Sequence, residues 1–142
     1  MAPFPIAEGL FTWPAEEPQL IGARCRACAI VTFPTQESCP RCAATEMDGH
    51  LLARRGSLWA WTTQEFPPPA PPYAGPTGAD FVPFGVGYID LGDVKVEARL
   101  TECDPEVLVH GMAMELVVVP LTTDADGNDV LTFAFGPSEQ PA

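Results

Sequence analysis

The residues best suited to chemistry are four cysteines, paired as Cys25-x-x-Cys28 and Cys39-x-x-Cys42 with ten residues between the pairs. Each pair closes a tight turn that aims two sulfurs at one centre. Two such turns face to face make a tetrahedral Cys₄ site, the geometry a structural zinc ion prefers. Zinc binds thiolates and lowers the thiol pKa, so the site assembles at neutral pH. One pair alone would leave a disulfide or a redox motif open. Two pairs at this separation point to zinc, with iron in the same S₄ cage as the alternative. A closed Cys₄ shell leaves no position for water or substrate, so this metal is predicted to hold a fold and do no chemistry.

No other grouping makes a convincing catalytic site. Cys103 is a thiol without a cysteine partner, and a nucleophile would need a histidine in reach. His110 lies seven residues on, across a turn, and nothing in the spacing brings the two together. Asp124, Asp126 and Asn128 resemble a calcium loop only superficially: the glycine comes two positions too early and the closing glutamate is missing. There is no phosphate-cradling glycine loop and no serine elbow.

Charge is unevenly spread over the 142 residues, whose net charge is −12. Residues 20–55 carry Arg24, Arg26, Arg41, Arg54 and Arg55 against three carboxylates, a net +2. Residues 56–142 carry only Lys95 and Arg99 against thirteen carboxylates, a net −11. A polyphosphate backbone would be repelled by that larger half, which argues against nucleic acid. No stretch approaches the ~18 apolar residues of a membrane span. The first residues lack the basic and apolar regions of a signal peptide, and the cysteine usage fits a reducing, cytoplasmic setting.

Residues 1–19 form an arm broken by Pro3, Pro5, Pro14 and Pro18. Its Phe4, Phe11 and Trp13 are too apolar for a free tail, so it is expected to lie on its own domain or on a partner. Residues 20–50 form the ribbon, with strands at 20–24 and 30–33 flanking the first cysteine turn. A barrel is expected over 51–136, followed by a frayed tail at 137–142. Its strands are read at 57–63 with Trp59 and Trp61 on one face, at 82–91 with a bend or bulge at Gly85 and Gly87, and at 94–100, 115–119 and 130–135. In residues 94–100, Val94, Val96, Ala98 and Leu100 alternate with Lys95, Glu97 and Arg99. Asp104 and Pro105 start a helical turn that Gly111 ends. Six of the eleven residues at 66–76 are proline, which predicts a stiff loop projecting from the body. Five antiparallel strands favour a small Greek-key barrel of the OB type over a sandwich. The fold class is therefore mainly β: an arm, a zinc ribbon, then a five-stranded OB-fold barrel.

In this order the residues resemble a known family. The matching stretches are Cys25 and Cys28 with Phe33-Pro34; Cys39-Pro40-x-Cys42; Gly56-x-Leu58-Trp59-x-Trp61-Thr62; and residues 94–100 leading to Cys103-Asp104-Pro105 and Gly111-Met112. The chain is similar to small accessory proteins with a rubredoxin-like zinc ribbon and an OB-fold, which accompany thiolases, steroid side-chain aldolases and related synthases. It departs at Ala29, where the family usually has glycine, and in its proline-broken arm, where many relatives have a helix. The resemblance implies a non-catalytic subunit that binds and stabilises a thiolase-fold enzyme in a two-plus-two heterotetramer and borders its acyl-CoA tunnel. The carbon–carbon chemistry would belong to the partner. Phe11, Trp13, Phe66 and Tyr73 are then candidate interface residues, and Arg54 and Arg55 candidate contacts to coenzyme A phosphates or to the partner. The rival readings are a single-strand nucleic-acid binder, for which Trp59 and Trp61 would stack bases, and an iron-bearing electron carrier.

Overall fold

The computed structural model describes residues 2–70 and 73–139. Nine strands account for its regular structure, apart from one 3₁₀ turn at Gly78–Asp80. Three make the ribbon sheet: β2 (Ile21–Cys25) lies between β3 (Val31–Thr32) and β4 (Met47–Leu51), both antiparallel to it. β4 has no alternating pattern to announce it, since Asp48 and Gly49 are poor strand formers. It forms because β2 offers it a ladder.

The barrel is built from β5 (Arg55–Gln64), β6 (Phe84–Asp90), β7 (Lys95–Leu100), β8 (Ala113–Thr123) and β9 (Asp129–Pro137). It runs β5-β6-β7-β9-β8 and closes through β8 back onto β5. This is the expected five-stranded Greek-key barrel, with one correction: β9 runs parallel to β7, pairing Arg99 with Ala134 and Leu100 with Phe135. A closed ring with an odd number of strands cannot have every neighbouring pair antiparallel, and with the other four pairs antiparallel the β7–β9 pair must be parallel. The strict alternation of β7 holds, with Val96, Ala98 and Leu100 buried.

Two local expectations are corrected. A bulge between Leu58 and Ala60 shifts the β5 register by one residue. Trp59 is thereby left outside, 49% exposed, while Trp61 packs on the core, so the two rings do not share a face. β6 itself keeps an unbroken register with β7, with no bulge. Gly85 and Gly87 serve close approach instead, because a Cβ would meet the Glu102 carbonyl oxygen at 2.5 Å and the Ala60 oxygen at 2.7 Å. The helical segment after Asp104 is a single turn, in which the Val107 and Leu108 N–H groups donate to the Asp104 carbonyl and Glu106 N–H to its side chain. Gly111, at φ +84°, follows it.

The arm lies on its own chain. β1 (Phe4–Pro5) adds in parallel to β9, and Phe11 bridges to Leu20. Phe11, Leu20 and Leu52 join Leu58, Ile89, Met114, Leu116 and Phe135 in one buried cluster. Arm, ribbon and barrel thus share a core. Residues 137 and 138, expected in a frayed tail, belong to the barrel instead: β9 runs to Pro137, and Ser138 N–H donates to the Ala113 carbonyl. Pro71 and Pro72 of the proline loop, and the last three residues, lie outside the described residues.

Candidate metal centre and partner surface

Both cysteine turns are built by the same hydrogen bonds. Ala29 N–H donates to the Cys25 carbonyl (2.9 Å) and Cys25 N–H to Ile30 (2.9 Å). In the second turn Ala43 N–H donates to Cys39 (2.9 Å) and Cys39 N–H to Ala44 (2.8 Å). To close each turn, the residue after the second cysteine must take a left-handed conformation: Ala29 has φ +67° and Ala43 φ +64°. This explains why glycine suits the position of Ala29.

The four sulfurs lie within 4.8 Å of one another, with Cys25 and Cys42 at 3.6 Å and Cys28 and Cys39 at 3.6 Å. A zinc ion bonded to four sulfurs at ~2.3 Å spaces them about 3.8 Å apart, so the cage fits the ion. Backbone donors prepare it. The Cys28 N–H aimed at the Cys25 sulfur pulls that thiol down to about 6, against the opposing effect of burial. Burial pushes Cys39 up, but N–H groups of Cys42 and Arg41 outweigh it and its pKa falls. At Cys42 the Ala44 N–H pulls down, yet the neighbouring sulfurs and burial together push it up to about 11. Four thiolates this close repel one another, and a dication relieves that repulsion. Cys25, Cys28, Cys39 and Cys42 thus form one four-sulfur cluster positioned to bind a metal ion.

The arginines have tasks within the chain. Arg26 chelates Asp48, with Nε 2.9 and 3.0 Å from its oxygens, and holds that carboxyl below its usual range. Arg54, a candidate contact to coenzyme A or the partner, is engaged within the chain. Its Nε donates to the Pro18 carbonyl (2.9 Å), Nη2 to the Leu116 carbonyl (3.2 Å), and Nη1 lies 3.8 Å from Glu115. It ties the arm to β8. Arg55, more open, reaches the same Glu115 at 3.5 Å.

The interface candidates separate. Phe11 is corrected, because at 4% exposure its area is already covered by the core. Trp13 is half-buried beside it, and its Nε1–H donates to the Pro3 carbonyl. Tyr73 folds back, its hydroxyl donating to the Pro76 carbonyl at 3.0 Å. Phe66 stands 67% exposed, with Val82 at 72% beyond the same loop. Sequence reasoning did not find the groove between ribbon and barrel. It measures about 440 Å³ and is lined by Leu10, Phe33, Phe84, Val86, Arg99 and Phe133. The alternation of β7 did place Arg99 outward, but only the fold sets Phe33 opposite Phe133.

The remaining reactive groups are engaged elsewhere. His110 Nδ1 is 2.7 Å from the Trp59 carbonyl, and His50 Nε2 is 3.0 Å from Asp93. The Asp124 side chain accepts N–H groups from Asn128 and Asp126, making a hairpin turn and no calcium loop. Among the described residues no helix is long and apolar enough to cross a membrane.

Comparison with known proteins agrees with this architecture. Residues 12–48 match the family described as the ChsH2 rubredoxin-like zinc ribbon domain, and residues 50–119 the ChsH2 C-terminal OB-fold domain. The benzoylsuccinyl-CoA thiolase subunit BbsA of Thauera aromatica is 30% identical over 125 residues, covering 83% of this chain and 76% of that one. A DUF35 domain-containing scaffold protein of Methanocaldococcus jannaschii is 28% identical over 121 residues, covering 82% and 78%. The solved structure of an Ltp2-ChsH2(DUF35) aldolase has the same fold, with a TM-score of 0.60, 22% identity and 84% of each chain covered. A closed Cys₄ ribbon in front of a five-stranded barrel, matched along both parts, makes this chain a member of the ChsH2 zinc-ribbon and OB-fold family.

Proposed function

We propose that the chain is a non-catalytic accessory subunit that binds and stabilises a thiolase-fold enzyme acting on acyl-CoA. The reading is carried by its similarity to a protein named as a thiolase subunit. The closed metal shell supports it, because four sulfurs leave the ion no position for a substrate. So does the exposed pair Phe66 and Val82 on either side of a proline-rich loop. Such a loop loses little entropy on docking and suits an interface or the wall of an acyl-CoA tunnel. Two copies on a partner dimer is the assembly proposed. Arg55, rather than Arg54, is the candidate for a contact with the partner or with coenzyme A.

The test is co-expression with a thiolase-fold enzyme encoded in the same genome. A stable complex is expected, active in carbon–carbon bond chemistry on an acyl-CoA and equally active with Cys103→Ala. The isolated chain should cleave and condense nothing. Acyl transfer by the isolated chain, abolished by Cys103→Ala, would overturn the reading. Deleting residues 67–72 should weaken the complex or slow its turnover without lowering zinc content.

A further inference from the structure

We propose that the groove between ribbon and barrel receives an extended segment of the partner, carrying one carboxylate side chain among apolar ones, with Arg99 as its anchor. The proposal rests on the accessory-subunit reading and adds to it where the contact is made and what chemistry it uses.

Arg99 lies over the Phe84 ring, 3.8 Å from the centroid. Among the described residues no carboxylate or carbonyl accepts from its guanidinium. Arg26, Arg54 and Arg55 each have a carboxylate within 4 Å, whereas the exposed Arg24 and Arg41 share with Arg99 the lack of one among the described residues; Arg99 differs from those two in lying half-buried in the barrel half. Residues 56–142 hold thirteen carboxylates and two cations. Both cations sit over aromatic rings: Lys95 above Trp59 at 5.2 Å and Arg99 above Phe84. Glu97 points outward from the same strand, but it takes the Tyr88 hydroxyl instead. Internal charge balance therefore does not account for Arg99. Stacking fixes the plane of a guanidinium and leaves its N–H edge free to grip a carboxylate with two parallel bonds.

Apart from Arg99, Thr132 and Glu97, whose carboxylate accepts the Tyr88 hydroxyl, the groove beside it is apolar, lined by Leu10, Phe33, Phe84, Val86 and Phe133. Its surface continues outward. Phe84 meets Phe81 with centroids 6.0 Å apart, next to the exposed Val82, and pairs in register with Gln64, whose side chain holds the Phe66 carbonyl. One apolar stripe thus runs from the proline loop to the ribbon seam. Charge selects the occupant. A small free anion would have to approach a domain of net −11, which repels it. A protein segment brings its single carboxylate within a surface whose other charges can be basic.

The test uses the full chain and its thiolase-fold partner, with dissociation constants from calorimetry. Zinc content and thermal midpoint confirm that each variant is folded. Arg99→Gln should weaken the complex about tenfold and Arg99→Glu about a hundredfold, with Arg99→Lys in between. Val86→Arg, which fills the groove from the position paired with Arg99 across the β6–β7 ladder and sets a like charge beside the anchor, should weaken it comparably. If Arg99→Glu and Val86→Arg bind within twofold of wild type while Phe66→Ala/Val82→Ala weakens binding, the groove proposal falls and the accessory role stands. No complex with the wild-type chain would overturn both. Decanoate titrated into the isolated chain serves as a probe of the other source of a carboxylate. Sub-millimolar binding that Arg99→Gln abolishes would overturn the protein occupant in favour of a small acid.

Discussion

The ring of Phe33, in the ribbon, meets the ring of Phe133, on β9 of the barrel, with centroids 5.5 Å apart and planes at 89°. The edge of one quadrupole faces the other's π-cloud, a geometry worth about 0.5–1.5 kcal/mol beyond the area it buries. Ribbon and barrel should therefore be energetically coupled through this pair. Phe33→Leu, Phe133→Leu and the double variant, unfolded in urea, should give a coupling of about 1 kcal/mol. Strictly additive effects would remove the pair from the account of how the two parts are joined.

Zinc removal should unfold the ribbon, because three short strands around one metal have little apolar interior of their own. Chelation is expected to release one zinc per chain, with loss of amide protection across Ile21–Cys25. Near-complete protection in the metal-free protein would contradict this.

The two alanines at positive φ make a sharper prediction. Ala29→Gly and Ala43→Gly should each stabilise the metal-bound ribbon by up to about 1 kcal/mol, since glycine takes that conformation without a Cβ clash. Ala29→Val should do the reverse. Chelator competition and thermal midpoints measure both, and a lower midpoint for the glycine variants would be the wrong sign.

Arg54 should prove structural. Arg54→Met strips donors from the Pro18 and Leu116 carbonyls and should cost about 1–3 kcal/mol. Lysine should rescue little of it, because a single ammonium cannot reproduce the fork. Wild-type stability in Arg54→Met, joined with a raised KM for acyl-CoA in the complex, would restore the ligand role instead.

The hairpin after β8 should be acid-sensitive. The Asn128 backbone N–H, followed by the other donors around the carboxyl, holds Asp124 below its ordinary value of 3.8. A depressed folded-state pKa stabilises the fold above the unfolded value and loses that contribution as pH falls through the folded one. Amide exchange at residues 126–128 should therefore speed up below about pH 3.8 relative to β9, after correction for intrinsic rates. In Asp124→Ala the difference between pH 7 and pH 3 should vanish.

The sequence revealed most where a pattern is local. Two cysteine pairs define the metal cage, and the alternation of Val96, Ala98 and Leu100 defines β7 and its inward face. What escaped depends on contacts between distant segments. The bulge at Trp59 is a property of the β5–β6 ladder, invisible in a run that alternates well. Phe11 reads as a sticky residue of a loose arm until Leu20 and Leu52 are placed against it. β1 and β4 are strands only because β9 and β2 present edges to them. The groove at Arg99 needs β6, β7, β9 and the ribbon together before it exists.

Leu52 donates its backbone N–H to the carbonyl of Leu20, and both side chains are fully buried in the cluster that reaches Phe135. The family boundary between residues 48 and 50 runs through the chain separating those two leucines. Inheritance treats the two parts as modules, yet this contact denies them independence as folding units. Grafting a foreign ribbon without a matching apolar side chain at position 20 would strip packing from Leu52. An exchange of ribbons at that joint should therefore keep matched apolar side chains at both leucine positions, and an engineer seeking new partner specificity should exchange the loop at 66–83 and leave the joint intact.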